Sequence, residues 1–138
     1  MKPHFPEMND QALKRNELVE ITRRFLDAFN REDLDAVMEY FADDGIYDEF
    51  NGRRNVGKQA IRAAFVPQFT GAYGVMRFID EDLFADAASG KVMASWRCTL
   101  SVHGQPTSWR GLDLLHFAGG KLVQKLTYAK AKVPLFAD

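Results

Sequence analysis

Residues 91–102 read KVMASWRCTLSV, a stretch in which apolar residues alternate with largely polar ones. One face of this stretch is apolar and the other is largely polar, which is the pattern of a strand with one buried face. The stretch therefore predicts a long, half-buried strand. Its apolar face carries Val92, Ala94, Trp96, Cys98 and Leu100.

Three more strand patterns surround this one, at residues 76–87, 107–117 and 121–131. Short turns that contain Gly or Pro join the last three strands, at residues 103–106 and 118–120. Strands joined by turns this short pair with their neighbours in sequence. The second half of the chain is therefore predicted to form a four-stranded antiparallel meander.

The first half of the chain has the apolar spacing of helices. We predict a first helix over residues 10–30 and a short second helix that Asp33 caps and that includes Phe41. A third helix is predicted over residues 58–66, where Pro67 ends it.

Between the second and third helices, residues 43–45 predict a turn and residues 46–50 a strand. Helices followed by strands indicate an α+β fold, with the helices packed on one face of the sheet. The length predicts one domain over residues 10–138, preceded by an irregular arm at residues 1–9.

Composition argues against several classes of protein. The net charge is -1 and both signs are mixed along the chain, so the basic patch of a nucleic-acid binder is missing. No stretch resembles a signal peptide or a membrane span. Cys98 is the single cysteine and cannot form a disulfide within the chain. We expect a cytoplasmic protein that binds neither nucleic acid nor membrane.

Metal and cofactor motifs are also missing from the sequence. His4, His103 and His116 are scattered without the spacing of metal ligands. Gly119 and Gly120 form a hairpin turn rather than a phosphate-binding loop. We therefore expect no metal and no organic cofactor.

Asp113 is the most informative polar residue, because it lies in the middle of a predicted strand. The alternation places it on the same face as Trp109, Leu115 and Phe117, although both faces of this strand are mixed. A buried aspartate is either paired or neutral. A neutral acid donates a hydrogen bond to a developing oxyanion, whereas a paired one is satisfied by Arg or Lys across the sheet. The pattern leaves both interpretations open.

Two further sites carry charge at predicted strand positions. Asp48 and Glu49 are neighbours, so at most one of them faces the interior. Lys125 shares a face with Thr127, and Leu122 falls on the opposite face. Lys125 is therefore an ion-pair partner of Asp113, a cation for an anionic substrate, or an exposed residue, which is the commonest fate of lysine.

A family resemblance adds to these patterns. RFLDAFN at residues 24–30, FADDG at 41–45, VGKQAI at 56–61 and GLDLLHF at 111–117 occur in the order seen in one superfamily. The chain resembles, over about residues 17–131, the nuclear transport factor 2-like superfamily, which includes ketosteroid isomerases and SnoaL-like polyketide cyclases. The resemblance implies a cone-shaped fold, a curved sheet mixed at its edge, a pocket between helices and sheet, and often a homodimer formed through the sheet.

The resemblance also implies roles for individual residues. Glu49 falls at the position of the general-base carboxylate of ketosteroid isomerases, and Asp113 at that of their protonated oxyanion-hole aspartic acid. Phe25 stands in place of their catalytic tyrosine, so steroid isomerisation itself is not expected. Lys125 replaces an apolar pocket position. The residues expected to line the pocket are Phe25, Tyr47, Trp96, Trp109, Leu115 and Tyr128.

These observations lead to a functional hypothesis with two rivals. We expect an acid–base enzyme, of the isomerase, cyclase or dehydratase type, that acts on a small apolar carbonyl compound through Glu49, Asp113 and Lys125. The first rival is a non-catalytic domain that binds a small molecule. The second is a dimeric protein-interaction domain that uses its sheet. Fold alone cannot choose among them.

Overall fold

The computed structural model describes residues 10–130, so the predicted arm and Ala131 at the end of the last predicted strand lie outside the described residues. Three helices and six strands follow one another along the chain. The elements are α1 (Asp10–Asn30), α2 (Leu34–Glu39), β1 (Phe41–Asp48), β2 (Arg54–Val56), α3 (Lys58–Phe69), β3 (Arg77–Asp86), β4 (Lys91–Val102), β5 (Gln105–Ala118) and β6 (Lys121–Lys130).

The strands form one open sheet in the order β2-β1-β6-β5-β4-β3. β1 runs parallel to β6, and every other neighbouring pair is antiparallel. Helix α1 packs on β3 and β4, and α3 packs on β1 and β2. The α+β fold with a mixed sheet, predicted from the sequence and its resemblance, is confirmed. No helix within residues 10–130 is long and apolar enough to cross a membrane.

The first helix ends and the second begins at the predicted residues. Asn30 ends α1 and fastens it to β3, because its side-chain amide exchanges two hydrogen bonds with the backbone of Phe78, at 2.9 and 2.8 Å. Asp33 then caps α2 by accepting a hydrogen bond from the backbone N–H of Ala36 at 3.0 Å.

The prediction that Phe41 belongs to the second helix is wrong. Phe41 begins β1, where it pairs with Leu122 of β6. Residues 43–45 also lie within β1 rather than in a turn, and the pairing with β6 shifts register across them, between Phe41 and Ile46. Pairing between strands distant in sequence thus overrides the local pattern.

The third helix passes through Pro67 and ends at Phe69. Proline removes only the hydrogen bond to the carbonyl four residues earlier, that of Ala63, and both residues lie on the exposed side of α3. The aromatic rings of Phe65 and Phe69 pack against Phe29 of α1, at centroid distances of 5.3 and 5.6 Å. This packing favours the extra turn.

A bulge in β6 changes which of its side chains face the core. Phe117 pairs with Leu122 and His116 with Gln124, so Val123 is the additional residue. Leu122 and Lys125 are both buried as a result. The prediction that they lie on opposite faces is wrong because it assumed a regular strand.

The buried apolar residues form two separate clusters. The main core fills the space between the helices and the sheet, and it includes Phe25, Phe29 and Phe65. The second cluster consists of buried residues of β4 with partly buried neighbours, and Phe78 packs against both clusters. The members of the second cluster are Trp96, Cys98, Leu100, Met76, Phe78 and Trp109.

Candidate functional site

A cavity of about 150 Å³ lies where the two clusters face each other. Its walls come from α1, α3, the loop between β1 and β2, the loop between α3 and β3, and all strands except β2. Most of the lining is apolar or aromatic. The lining residues are Leu26, Phe29, Tyr47, Glu49, Phe50, Ala64, Phe65, Gln68, Tyr73, Met76, Phe78, Trp96, Cys98, Leu100, Trp109, Asp113, Lys125 and Thr127.

Asp113 lies on the cavity side of β5 and is only 2% exposed. Its Oδ1 accepts hydrogen bonds from Lys125 Nζ at 3.0 Å and Thr127 Oγ1 at 2.6 Å, and its Oδ2 accepts one from Trp96 Nε1 at 3.1 Å. Three donors, one of them an ammonium, therefore meet this carboxyl group. The arrangement is a pair with a basic residue across the sheet, one of the two interpretations that the pattern left open.

Lys125 lies on β6 and is only 5% exposed, whereas most lysine side chains in proteins are exposed to solvent. Its Nζ donates a second hydrogen bond to Thr127 Oγ1 at 2.8 Å. Three aromatic rings surround the ammonium, with centroids 4.7 Å away for Tyr47, 5.7 Å for Phe29 and 5.8 Å for Phe65. The carboxylate and the ring faces together stabilise a positive charge away from water.

The neighbours Asp48 and Glu49 point to different sides, as strand geometry requires. Arg54 forms a bidentate ion pair with Asp48, with Nε–Oδ1 and Nη2–Oδ2 distances of 2.7 and 2.8 Å. These hydrogen bonds and the guanidinium charge lower the pKa of Asp48. Glu49, just beyond the end of β1, lines the cavity.

Asn55 of β2 holds one oxygen of Glu49. Its Nδ2 donates to Glu49 Oε2 at 3.1 Å and to the backbone oxygen of Tyr47 at 3.2 Å. Arg53 Nε is 4.0 Å from the same Oε2, on a side chain that is mostly exposed. Within residues 10–130, Glu49 Oε1 accepts no hydrogen bond from a protein group. One carboxylate oxygen is thus fixed and the other is available to a ligand.

Two further lining residues are held in their neutral forms. Burial, followed by the negative charges of Asp113 and Glu49, raises the pKa of Tyr47 far above its ordinary value. Burial also raises the pKa of the Cys98 thiol to about 11. The Tyr47 phenol therefore keeps a proton that it can donate, and Cys98 behaves as a small apolar residue.

The structure brings six of the nine predicted site residues to the cavity: Glu49, Asp113, Lys125, Tyr47, Trp96 and Trp109. The other three lie elsewhere. Phe25 and Leu115 are fully buried in the main core, where Phe25 packs against Tyr40 and Phe41. Tyr128 is 53% exposed, since it follows the inward-facing Thr127 on β6 and so points away from the cavity.

The sequence analysis missed several polar members of the site. Gln68 follows Pro67, where the third helix was expected to have ended. Asn55 belongs to a strand of three residues, too short to show an alternating pattern. The strand pattern placed Thr127 on the same face as Lys125, but it did not predict the hydrogen bonds of Thr127 with Lys125 and Asp113. Among residues 10–130, no group of three or more His, Cys, Asp or Glu side chains is arranged to hold a metal ion.

Comparison with known families finds one match. The model of the SnoaL-like domain matches residues 22–125, about three quarters of the chain. No curated protein sequence matches this chain.

Solved structures share the fold at low sequence identity. A candidate polyketide cyclase from Xanthomonas campestris pv. campestris is 20% identical over 85% of this chain and 93% of its own, with a TM-score of 0.76. A nuclear transport factor 2-like protein of unknown function from Mesorhizobium loti is 26% identical over 91% and 98%, with a TM-score of 0.72. An LEH-like epoxide hydrolase from M. tuberculosis is 18% identical over 85% and 81%, with a TM-score of 0.73.

Proposed function

We propose that this chain, which belongs to the SnoaL-like domain family, is a cofactor-independent acid–base enzyme that acts on a small, apolar, carbonyl-bearing molecule. One observation carries the proposal. Glu49, one of whose oxygens accepts no hydrogen bond from the described residues, lines the same largely apolar cavity as the buried ammonium of Lys125. A base can remove the α-proton in an enolisation, and a cation in the same cavity can stabilise the enolate oxygen.

In the proposed reaction, Glu49 Oε1 takes a proton from the carbon next to the substrate carbonyl. The C–H electron pair moves toward the carbonyl, and negative charge develops on its oxygen. Lys125 stabilises that oxygen, and the protonated Tyr47 hydroxyl is a further donor at the same cavity. Return of the proton to another carbon gives isomerisation. Attack of the enolate carbon on a second carbonyl of the same molecule forms a C–C bond, and the new alkoxide takes the proton back from Glu49, which gives cyclisation. Loss of a β-hydroxyl group, which leaves as water with the proton from Glu49, gives dehydration.

Asp113 is proposed to act through Lys125 rather than on the substrate. Its Oδ1 accepts a hydrogen bond from the ammonium at 3.0 Å, and Thr127 Oγ1 accepts another at 2.8 Å, so the two together fix the position of the ammonium. A cation held in this way needs little reorganisation when the oxyanion forms.

Exchange of α-protons with D₂O tests the proposal without knowledge of the final product. We expect the protein to accelerate exchange for some members of a panel of small enolisable ketones, followed by proton NMR. Glu49→Gln should lower the accelerated rate by about a hundredfold or more, because general-base catalysis contributes about that much. Lys125→Met should also lower it.

Asp48→Asn is the matched control, since Asp48 is the adjacent carboxylate and is bound to Arg54 away from the cavity. It should retain the wild-type exchange rate. Equal exchange by wild type and Glu49→Gln, or no exchange above the protein-free rate across the panel, would refute the proposal.

A non-catalytic binding domain is the second candidate. The observation that favours it is that protein donors already bind both oxygens of Asp113, through three hydrogen bonds, as in a purely structural pair. Ligands that raise the unfolding temperature but show no exchange and are recovered unchanged would select this candidate.

We also propose that the chain forms a homodimer through the outer face of its sheet. Strand register aligns four apolar residues across that face, which we call the outer row: Phe84, Met93, Leu114 and Leu126. Phe84 and Leu114 are 61% and 42% exposed in the single chain. A contiguous apolar surface of this kind is typical of protein contacts. The same face would serve the interaction domain considered as a rival.

A further inference from the structure

We infer that the cavity contains a distinct apolar subsite that takes one uncharged, single-ring group of the substrate. The subsite, called here the ring subsite, is formed by the second cluster: Trp96, Cys98, Leu100, Met76, Phe78 and Trp109. This inference names the class of molecule for the proposed reaction, and so rests on the proposed function for its chemical meaning.

The first observation is that the second cluster stays separate from the main core. Trp96, Cys98 and Leu100 are buried to 3%, 0% and 6% exposure, and all six members of the cluster line the cavity. Facing them are the main-core residues Leu26, Phe29 and Phe65. Apolar surfaces that face each other across a space gain stability when an apolar group fills it.

The second observation is a gradient of polarity across the sheet. Glu49 follows β1, Lys125 and Thr127 lie on β6, and Asp113 lies on β5. The next strands, β4 and β3, supply apolar residues to the cavity. Since the strand order is β1-β6-β5-β4-β3, one end of the cavity is polar and the other is apolar. A ligand with a carbonyl at one end and a hydrocarbon ring at the other matches this division.

The third observation is size. The cavity measures about 150 Å³, a volume in which engineered apolar cavities hold benzene. Ligand pockets for larger molecules measure roughly 300 Å³ or more. A space of this volume fits one six-membered ring with a small substituent, and we expect a system of fused rings to exceed it.

The fourth observation is charge. Glu49, Asp113 and Lys125 are the charged lining residues in the part of the chain that the structure describes, and Asp113 offsets the charge of Lys125 at 3.0 Å. Arg53 lies 4.0 Å from Glu49 on a mostly exposed side chain and offsets its charge weakly. The cavity thus retains about one negative charge, which disfavours a carboxylate ligand.

Binding of three related probes to the wild-type protein tests the inference by calorimetry or ligand-observed NMR. Acetophenone is the neutral single ring, benzoate its charged counterpart, and 2-acetylnaphthalene its fused-ring counterpart. We expect acetophenone to bind at least about tenfold more tightly than either of the others. Equal or tighter binding of benzoate or of the naphthyl ketone, or no detectable binding of acetophenone, would overturn the inference.

Two variants test whether cavity size causes the preference against the naphthyl ketone and whether charge causes the preference against benzoate. Leu100→Ala enlarges the ring subsite, so the naphthyl ketone should approach the affinity of acetophenone. Glu49→Gln removes the charge and should improve benzoate binding about tenfold relative to acetophenone. Leu112→Ala is the control, because Leu112 alternates with Asp113 on β5 and belongs to the outer face. Thermal unfolding of each variant verifies folding.

These measurements record binding, whereas the proposed function is tested by α-proton exchange. The ring subsite and the enzymatic activity can therefore be refuted independently. The expected order of affinities without any α-proton exchange would support the ring subsite and refute the enzyme. Exchange without the expected order would support the enzyme and refute the ring subsite.

Discussion

Asp113 and Lys125 depend on each other because each would be an unpaired charge in the interior without its partner. Their side chains are 3% and 7% exposed. We expect Asp113→Ala to lower the free energy of unfolding by about 3–5 kcal/mol, since removal of one partner leaves a buried charge uncompensated. Urea unfolding at neutral pH measures this loss.

The double variant Asp113→Leu/Lys125→Met provides the control, because it replaces both charges with apolar groups. It should be more stable than Asp113→Ala, even though two residues are changed. A loss of less than about 0.5 kcal/mol for Asp113→Ala would contradict a buried ion pair of this geometry.

The sequence could group Asp113 with Leu115 and Phe117 on one face of its strand, but it could not show that this face is buried. It offered Lys125 as one possible partner and could not decide between that pairing and the alternatives. Alternation along β5 sets the direction of the side chain. The partner, by contrast, depends on the register between β5 and β6, in which Asp113 lies opposite Thr127 and Leu115 opposite Lys125. The β6 bulge adds to the difficulty, because it buries both Leu122 and Lys125 three residues apart. Register and bulges arise from packing that no short stretch of sequence contains.

At the scale of elements, β4 and β5 approach closely where Gly111 faces Trp96. A Cβ atom at residue 111 would lie 2.5 Å from Trp96 Cη2 and 2.6 Å from the backbone oxygen of Tyr128. Gly111 thus leaves room for the indole that lines the cavity and donates to Asp113.

We therefore expect Gly111→Ala to displace the Trp96 ring and to cost about 1–3 kcal/mol of unfolding free energy, as overpacking does. Ligand binding should weaken as well. Urea unfolding and the wavelength of tryptophan emission report the two effects. Ser108→Ala, at an exposed position of the same strand, should leave both unchanged. Wild-type emission and stability in Gly111→Ala would show that the strands yield without affecting the ring.

The elements that the sequence predicted well are those whose own pattern is long. The first helix and the β4 strand have the predicted bounds, Asp10–Asn30 and Lys91–Val102. The three-residue β2 was not predicted, and neither was the start of β1 at Phe41. Both exist because of pairing with other strands, and β2 supplies the Asn55 that positions Glu49. The elements with the weakest local signals therefore lie beside Glu49, the proposed general base.

At the scale of the whole molecule, the sheet separates two surfaces with different roles. Its inner face forms the cavity, with Asp113 and Lys125 at the polar end. Its outer face carries the outer row, in which Leu114 is the immediate neighbour of Asp113. A single strand thus presents the buried carboxyl group of Asp113 on one side and the proposed dimer contact on the other. A dimer would hold β5 and β6 rigid from outside the cavity.

Light scattering coupled to size-exclusion chromatography tests the proposed dimer. A chain of 15.7 kDa should elute with a mass of about 31 kDa, twice the chain mass. Leu114→Glu places a charge in the outer row and should shift the protein to the monomer, because a buried unpaired carboxylate opposes association. Val66→Glu is the matched control, since Val66 of α3 is 39% exposed against 42% for Leu114 and lies away from the sheet. It should remain dimeric. A wild-type mass near 16 kDa at micromolar concentration would refute the dimer, and equal dissociation by both variants would refute the outer row as its contact surface.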